Sequence, residues 1–331
     1  MLTTLRRFSI LAASTSLAFG SIAPSKCLAD LSGTISADGS STVGPITMAV
    51  AEEFEKENPK VKPTIGISGT GGGFKRFTKG ETDISNASRP IKKEEADIAK
   101  SNGVDFLELP IAYDGLTIVV NKNNSFLNKI TVDELKKVFC EPGAKTWNEV
   151  NPSYPNQPVK IFSPGTDSGT FDYFKEVVAG KEGKIRSDMS VSEDDNVLIR
   201  GVEGDANSIG FFGCAYFFEN KDKLKDVAVV AKSGKEVHPT PETIKSGEYA
   251  PFSRPLFIYV NAKSLAKPEV NAFVEYFLDN AQDVSDEVGY VGLPKEVMDV
   301  VKKNFKDKKL GTQFIKADGK SAEGALADIY K

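Results

Sequence analysis

Three glycine- and hydroxyl-rich stretches, each running straight into a helical pattern, constrain this chain more than any other feature. They are Asp38-Gly39-Ser40-Ser41-Thr42-Val43-Gly44-Pro45, Ser68-Gly69-Thr70-Gly71-Gly72-Gly73-Phe74-Lys75 and Gly165-Thr166-Asp167-Ser168-Gly169-Thr170-Phe171. The first turn of a helix leaves backbone N–H groups without intrahelical partners. The macrodipole adds partial positive charge there. Glycine lets the backbone approach a ligand closely, and Ser or Thr hydroxyls add donors. Such an end suits phosphate, sulfate or carboxylate. A single one is also how an ordinary N-cap reads. Three of them predict an anion cradle if the fold brings them together.

A fourth stretch, Asp83-Ile84-Ser85-Asn86-Ala87-Ser88-Arg89-Pro90, supplies fixed charge. Arginine is always charged and grips an oxyanion with two parallel hydrogen bonds. The competing reading of Arg89 is an ordinary ion pair with a nearby acid.

Strand-like and helix-like segments alternate, which predicts an α/β class. Val61–Ile67, Leu116–Val120, Val159–Phe162, Val227–Val230 and Leu256–Val260 read as short strands. Pro45–Asn58 reads as a helix, with Pro45 in its first turn and Ile46, Val50 and Phe54 four apart. Thr131–Phe139, Phe171–Ala179, Val270–Asn280 and the segment after Pro294 read as further helices. Leu109–Gly115 and Pro251–Pro255 read as crossings between two domains. The expected division is residues 30–115 and 256–331 in one lobe and 116–255 in the other, after a leader of residues 1–29.

That leader has a basic start at Arg6 and Arg7, an apolar stretch from Phe8 to Ala23, and Cys27-Leu28-Ala29 as a cleavage signal, with the cut after Ala29. Export to the periplasm follows. Lipidation of Cys27 is the alternative, disfavoured by Lys26 before it. Loss of Arg6, Arg7 and Lys26, with no acid, takes the formal charge from −4 to −7. No basic surplus exists for nucleic acid. After cleavage Cys140 and Cys214 remain. An oxidising compartment permits them to pair, and two buried thiols is the other reading.

Enzyme motifs fail. Gly69–Phe74 lacks the last glycine of a dinucleotide fingerprint and the Gly-Lys-Ser/Thr of a P-loop. The one histidine, His238, sits in a Pro/Thr loop and excludes a His-rich metal site. Asp194-Asp195 and Glu94-Glu95 read as solvated faces. Trp147 and Tyr154 read as loop packing.

Together these segments resemble PstS-type phosphate-binding proteins of the ABC phosphate importer, and the SphX-like branch in particular. The resemblance rests on Gly39–Val43, Gly69–Lys75, Ser85–Pro90 and Gly165–Thr170, with Ser208-Ile209-Gly210-Phe211 and Ser253-Arg254-Pro255-Leu256-Phe257 beside them. It implies a type II periplasmic binding protein fold: two α/β lobes, a hinge and a central ligand cleft. It implies an extracytoplasmic receptor that works as a monomer, takes inorganic phosphate without cofactor or metal, and delivers it to the permease's transmembrane subunits. Carried over by motif, Ser41, Thr42 and Val43, then Thr70 and Gly71, then Ser88 and Arg89 would bind from one lobe. Asp167, Ser168, Gly169 and Thr170 would close from the other. Many members carry an aspartate where Ser88 stands, which accepts the proton of hydrogen phosphate. Many place an arginine where Pro164 stands. Arg89 is the expected replacement for that charge, and Asp167, with Asp38 behind it, for the acceptor. A receptor for sulfate or molybdate, and an exported phosphomonoesterase, are the alternatives.

Overall fold

The first strand, β1 (Gly33–Gly39), lies between β2 (Val61–Ile65) and β3 (Ile84–Ala87) and runs parallel to both. The computed structural model describes residues 31–331 except Asp167, Lys181, Glu182, Glu193, Lys232 and Glu323. The expected leader, its cut after Ala29 and Cys27 lie outside the described residues. Helix α1 (Gly44–Glu57) carries the chain from β1 to β2, and α2 (Gly69–Phe77) from β2 to β3. After β3 comes α3 (Lys93–Ser101). Parallel strands aim their carboxyl ends the same way. The loops leaving β1, β2 and β3 therefore gather at one edge of the sheet, where α/β proteins place their ligands.

The chain then forms β4 (Phe106–Asn121), 16 residues long and buried throughout. Leu109–Gly115, read as a crossing loop, is thus strand. Pro110 misled that reading because a proline donates nothing to a ladder. A bulge accommodates it: in β12 (Ser253–Asn261), Leu256 faces Ala112 and Phe257 faces Pro110, leaving Ile111 between them. At Gly115 the pairing changes. Up to there β4 is antiparallel to β12, and from Leu116 it is antiparallel to β8 (Ser208–Gly213). The sheet continues through β6 (Lys160–Ser163) to β7 (Ser190–Val191), giving the order β2-β1-β3-β12-β4-β8-β6-β7. β9 (Leu224–Asp226) and β13 (Val291–Gly292) add to the two flanks of β4. A small sheet pairs β5 (Lys129–Ile130), β10 (Ala228–Val230) and β11 (Glu236–Val237).

In the second half α4 (Val132–Phe139) and the short α5 (Trp147–Val150) precede β6. Helix α6 (Gly169–Val178) leaves β6, which runs parallel to β8 and β7. Thr131 caps α4 by accepting from the Glu134 N–H at 3.1 Å. Trp147 is fully buried and donates to the Asn207 carbonyl at 3.0 Å, so it packs as expected. The helix expected over Val270–Asn280 is longer, Pro268–Glu287, and packs Phe273 edge-on against Phe54 of α1. The helix after Pro294 spans Lys295–Lys306. Both halves lie within the single unit Leu31–Lys331, an α/β architecture of two sheet halves joined through β4 and β12.

The disulfide reading gives way. Cys140 and Cys214 are free thiols, both buried. Cys140 ends α4, whereas the Cys214 sulfur packs beside Gly115 and Ile244. Each behaves as a small apolar side chain. Burial raises the Cys140 thiol and pushes the Cys214 thiol up to about 12, which suppresses the thiolate needed for exchange.

Candidate anion-binding site

The carboxyl ends of β1, β2, β3 and β6 all feed one cavity of about 230 Å³. Its wall holds Ser40, Ser41 and Thr42 before α1, and Gly69, Thr70 and Gly71 in the first turn of α2. Ser88 and Arg89 follow β3. Asp172, Tyr173 and Glu176 come from α6, and Arg254 from β12. The three glycine-rich helix starts therefore converge. A larger cleft of about 560 Å³ lies between α3 and residues 310–319 and shares no lining residue with this cavity.

Local packing explains the convergence. Gly39 has φ +141°, and the next residue, Ser40, donates its N–H to the Asn86 carbonyl at 2.9 Å, tying loop one to loop three. Gly73 lets α2 lie directly on the end of β1. A Cβ there would sit 2.5 Å from the Gly39 Cα and 2.9 Å from the Asp38 carbonyl oxygen. Thr70 binds the third loop: its hydroxyl accepts from the Ser88 N–H at 3.1 Å and meets the Ser88 hydroxyl at 3.0 Å. Asp38 ties the first two loops from behind. Its carboxylate accepts from the Gly39 and Ser68 N–H groups and from Arg76 at 2.7 Å. Burial alone would raise that carboxyl, but the Arg76 guanidinium and the N–H groups outweigh it and hold it low. Asp38 does not reach the cavity wall, so it is a brace rather than an acceptor.

Several expected residues stand apart from the wall. Val43 is fully buried beneath it, its N–H aimed at the Ser40 hydroxyl at 3.4 Å. Ser168 caps α6 by accepting from the Phe171 N–H at 3.4 Å. Gly169 touches the first loop so closely that a Cβ would lie 2.5 Å from the Thr42 hydroxyl oxygen. Thr170 is half-buried in the first turn of α6, off the wall. Asp167 lies outside the described residues.

The cation reading also shifts. Arg89 borders the cavity, but its Nη1 and Nη2 grip Glu95 at 2.9 and 2.8 Å. Glu95, read as part of a solvated face, is the partly buried partner that neutralises it. Arg254, which the sequence placed only in a crossing segment, enters from β12. Its Nη2 donates to the Thr42 hydroxyl at 3.2 Å and its Nε faces Asp114 at 3.4 Å. Nη1 lies 3.6 Å from Glu176, and the guanidinium stacks 3.6 Å above the Tyr173 ring centre. Tyr173 is itself pinned, donating to the Pro251 carbonyl at 2.6 Å. Because the Thr42 oxygen already accepts from Arg254, its O–H proton is left for a ligand.

Asp172, the other residue the sequence reading passed over, stands one turn into α6 beside Ser41. Burial raises its carboxyl, with Lys175 and Arg254 opposing. It brings a hydrogen-bond acceptor to a wall otherwise rich in donors. Its signal was present: it follows Ser168-Gly169-Thr170 by two residues.

The family profile described as the PBP superfamily domain matches residues 28–281. The chain belongs to the PBP superfamily. Protein SphX of Synechococcus elongatus is 49% identical over 301 residues, covering 90% of this chain and 88% of that relative. The phosphate-binding protein PstS of Staphylococcus saprophyticus is 43% identical over 265 residues, 80% of this chain and 82% of its own. Among solved structures, a possible phosphate binding protein from Planctomyces limnophilus superposes with a TM-score of 0.81 at 46% identity. That match covers 84% of this chain and 99% of the other. The two-lobed PBP fold and the type II reading of the sequence agree with these relatives.

Proposed function

We propose that this protein is an extracytoplasmic receptor that captures inorganic phosphate between its two sheet halves and passes it to an ABC permease. The observation that carries this is the meeting of three helix starts and Arg254 around one small cavity. Backbone N–H groups at Gly69–Gly71 and at Ser41 and Thr42 supply donors, with the Ser41, Thr42 and Ser88 hydroxyls around them. Arg254 supplies fixed charge. The named relatives, SphX and two phosphate-binding proteins, support phosphate as the anion.

Phosphate keeps a proton near neutral pH and sulfate does not. A receptor that prefers phosphate needs an acceptor at the ligand. Asp172 fills that role in place of Asp167. Residues 30–115 with 256–331, and 116–255, move as two lobes about the β4–β12 crossing near Gly115 and Ser253, and closure buries the anion. The protein works as a monomer in the periplasm after removal of residues 1–29, and it binds rather than transforms its ligand. Calorimetry with phosphate and sulfate tests the reading. Phosphate binding at micromolar concentration, with sulfate much weaker, is expected, and Asp172→Asn narrows that preference by about 10-fold or more. No phosphate binding would overturn the assignment. An unchanged preference in Asp172→Asn would remove Asp172 from it.

A further inference from the structure

Behind Arg254 lies a carboxyl group that the phosphate reading has not used. Asp114 sits in β4 at the last residues before the strand changes partner, and its side chain is only 3% exposed. Its hydrogen-bond partner among the described residues is Arg254, and that contact is long, 3.4 Å. The other titratable groups that face it are Tyr173 from α6, Cys214 from the helix Cys214–Glu219, and Tyr290 from the turn before β13. Burial raises all three, so they stay neutral at physiological pH. Among the described residues, Arg254 is the cation that offsets the Asp114 charge.

The surrounding charges sharpen the problem. Three cations, Arg89, Arg254 and the Lys175 ammonium that acts on Asp172, stand against four carboxylates, Glu95, Asp172, Glu176 and Asp114. An anion entering this set meets a carboxylate surplus, and it competes for the same guanidinium that neutralises Asp114. Bringing a further negative charge close to a buried carboxylate disfavours its ionised form. Burial already pushes Asp114 upward against the pull of Arg254. Asp172 is a poorer recipient, because on the reading above it must remain ionised to accept the ligand's proton.

We propose that Asp114 takes up a proton when the cavity captures its anion, so that capture is linked to proton uptake and Arg254 is released from its buried partner to the ligand. The inference rests on the phosphate reading. Asp114 is a positioning residue: it acts on the ligand through Arg254. While ionised, the carboxylate holds Arg254 over Tyr173, and on capture a proton from solvent neutralises it.

The test is calorimetric titration with inorganic phosphate at one pH, in two phosphate-free buffers of small and large ionisation enthalpy. The dependence of the observed heat on buffer counts the protons exchanged. The wild type and Asp114→Asn are compared, so that the titration of phosphate itself is common to both. The expected result is that the wild type takes up more protons than the variant, by about 0.3 to 1 per anion. Its affinity should also fall with rising pH more steeply than the variant's. Equal proton counts in two binding-competent proteins would overturn the proposal and leave the phosphate reading standing. No heat with either protein would remove both. Should Asp114→Asn not fold, difference infrared spectroscopy of the wild type decides: a new protonated-carboxyl band on adding phosphate supports the proposal, and none overturns it.

Discussion

Glu108→Gln tests how the first lobe is held together beneath the cavity. Glu108 lies in β4 and is almost wholly buried, with no cation among its partners in the described residues. It accepts from the Tyr259 hydroxyl at 2.8 Å and from the Gln313 N–H at 3.0 Å. Tyr259 in turn accepts the Ile91 N–H at 2.8 Å, two residues beyond Arg89. The network thus anchors the third cavity loop to the C-terminal segment. Burial pushes the Glu108 carboxyl up to about 7 from 4.5, against the opposing hydrogen bonds from Thr312, Gln313 and Tyr259. The folded state therefore holds a proton that the unfolded state has lost between those two values. Unfolding free energy falls as pH rises through that window, at up to roughly 1.4 kcal/mol per pH unit. A shift of about 2.5 units makes the total about 3 kcal/mol, fully present below pH 4.5 and fully lost above pH 7. Glutamine mimics the protonated acid. The carboxylates held low, such as Asp38 and Asp83, titrate below this window and are common to both proteins. Urea unfolding of wild type and Glu108→Gln at pH 5 and pH 8 should therefore show the variant gaining roughly 2 to 3 kcal/mol relative to wild type at the higher pH, a little under the total because part of the window lies below pH 5. If the difference between the two proteins is the same at both pH values, Glu108 is not the buried acid described here.

Two further predictions bear on the cavity. Arg254→Lys keeps the charge but loses the stack on Tyr173 and the directed N–H toward Thr42, so phosphate affinity should fall about 10- to 100-fold. Arg89→Lys should fall less, because Glu95 already holds that guanidinium. Calorimetry on the two variants decides, and a larger loss at Arg89 would return the charge to where the sequence placed it. Gly169→Ala drives a methyl against Thr42, and overpacking of about 1–3 kcal/mol should weaken phosphate binding by at least several-fold while leaving the circular dichroism of the free protein unchanged. Undiminished affinity would mean that the two loops need not approach so closely.

The parts of this molecule that are local in sequence could be read before the fold was known. A helix start is a local event. Glycine, hydroxyl side chains and an apolar repeat within about ten residues specify it, and all three helix starts stand where the motifs put them. The parallel arrangement that brings them together also has a local cause, since strand and helix alternate along the chain. What could not be read is which charge meets which. Arg89 and Glu95 are six residues apart, yet their pairing depends on how α3 leaves the loop after β3. Arg254 and Thr42 are 212 residues apart, and only the antiparallel insertion of β12 between β3 and β4 joins them. The proline in β4 failed for a similar reason: a bulge against β12 makes Pro110 tolerable, and a bulge is a property of two strands together.

This division has a consequence for selectivity. Donors from backbone and hydroxyls come from the local motifs and would serve any tetrahedral oxyanion of the right size. The groups proposed to set charge and proton preference, Arg254, Asp114 and Asp172, come from β12, β4 and α6 and meet only in the folded chain. A chain could therefore keep all three glycine-rich motifs and yet favour a different oxyanion, through changes at these positions alone. Exchanging Asp172 for a neutral residue should weaken the preference for phosphate over sulfate while leaving all three glycine-rich motifs intact.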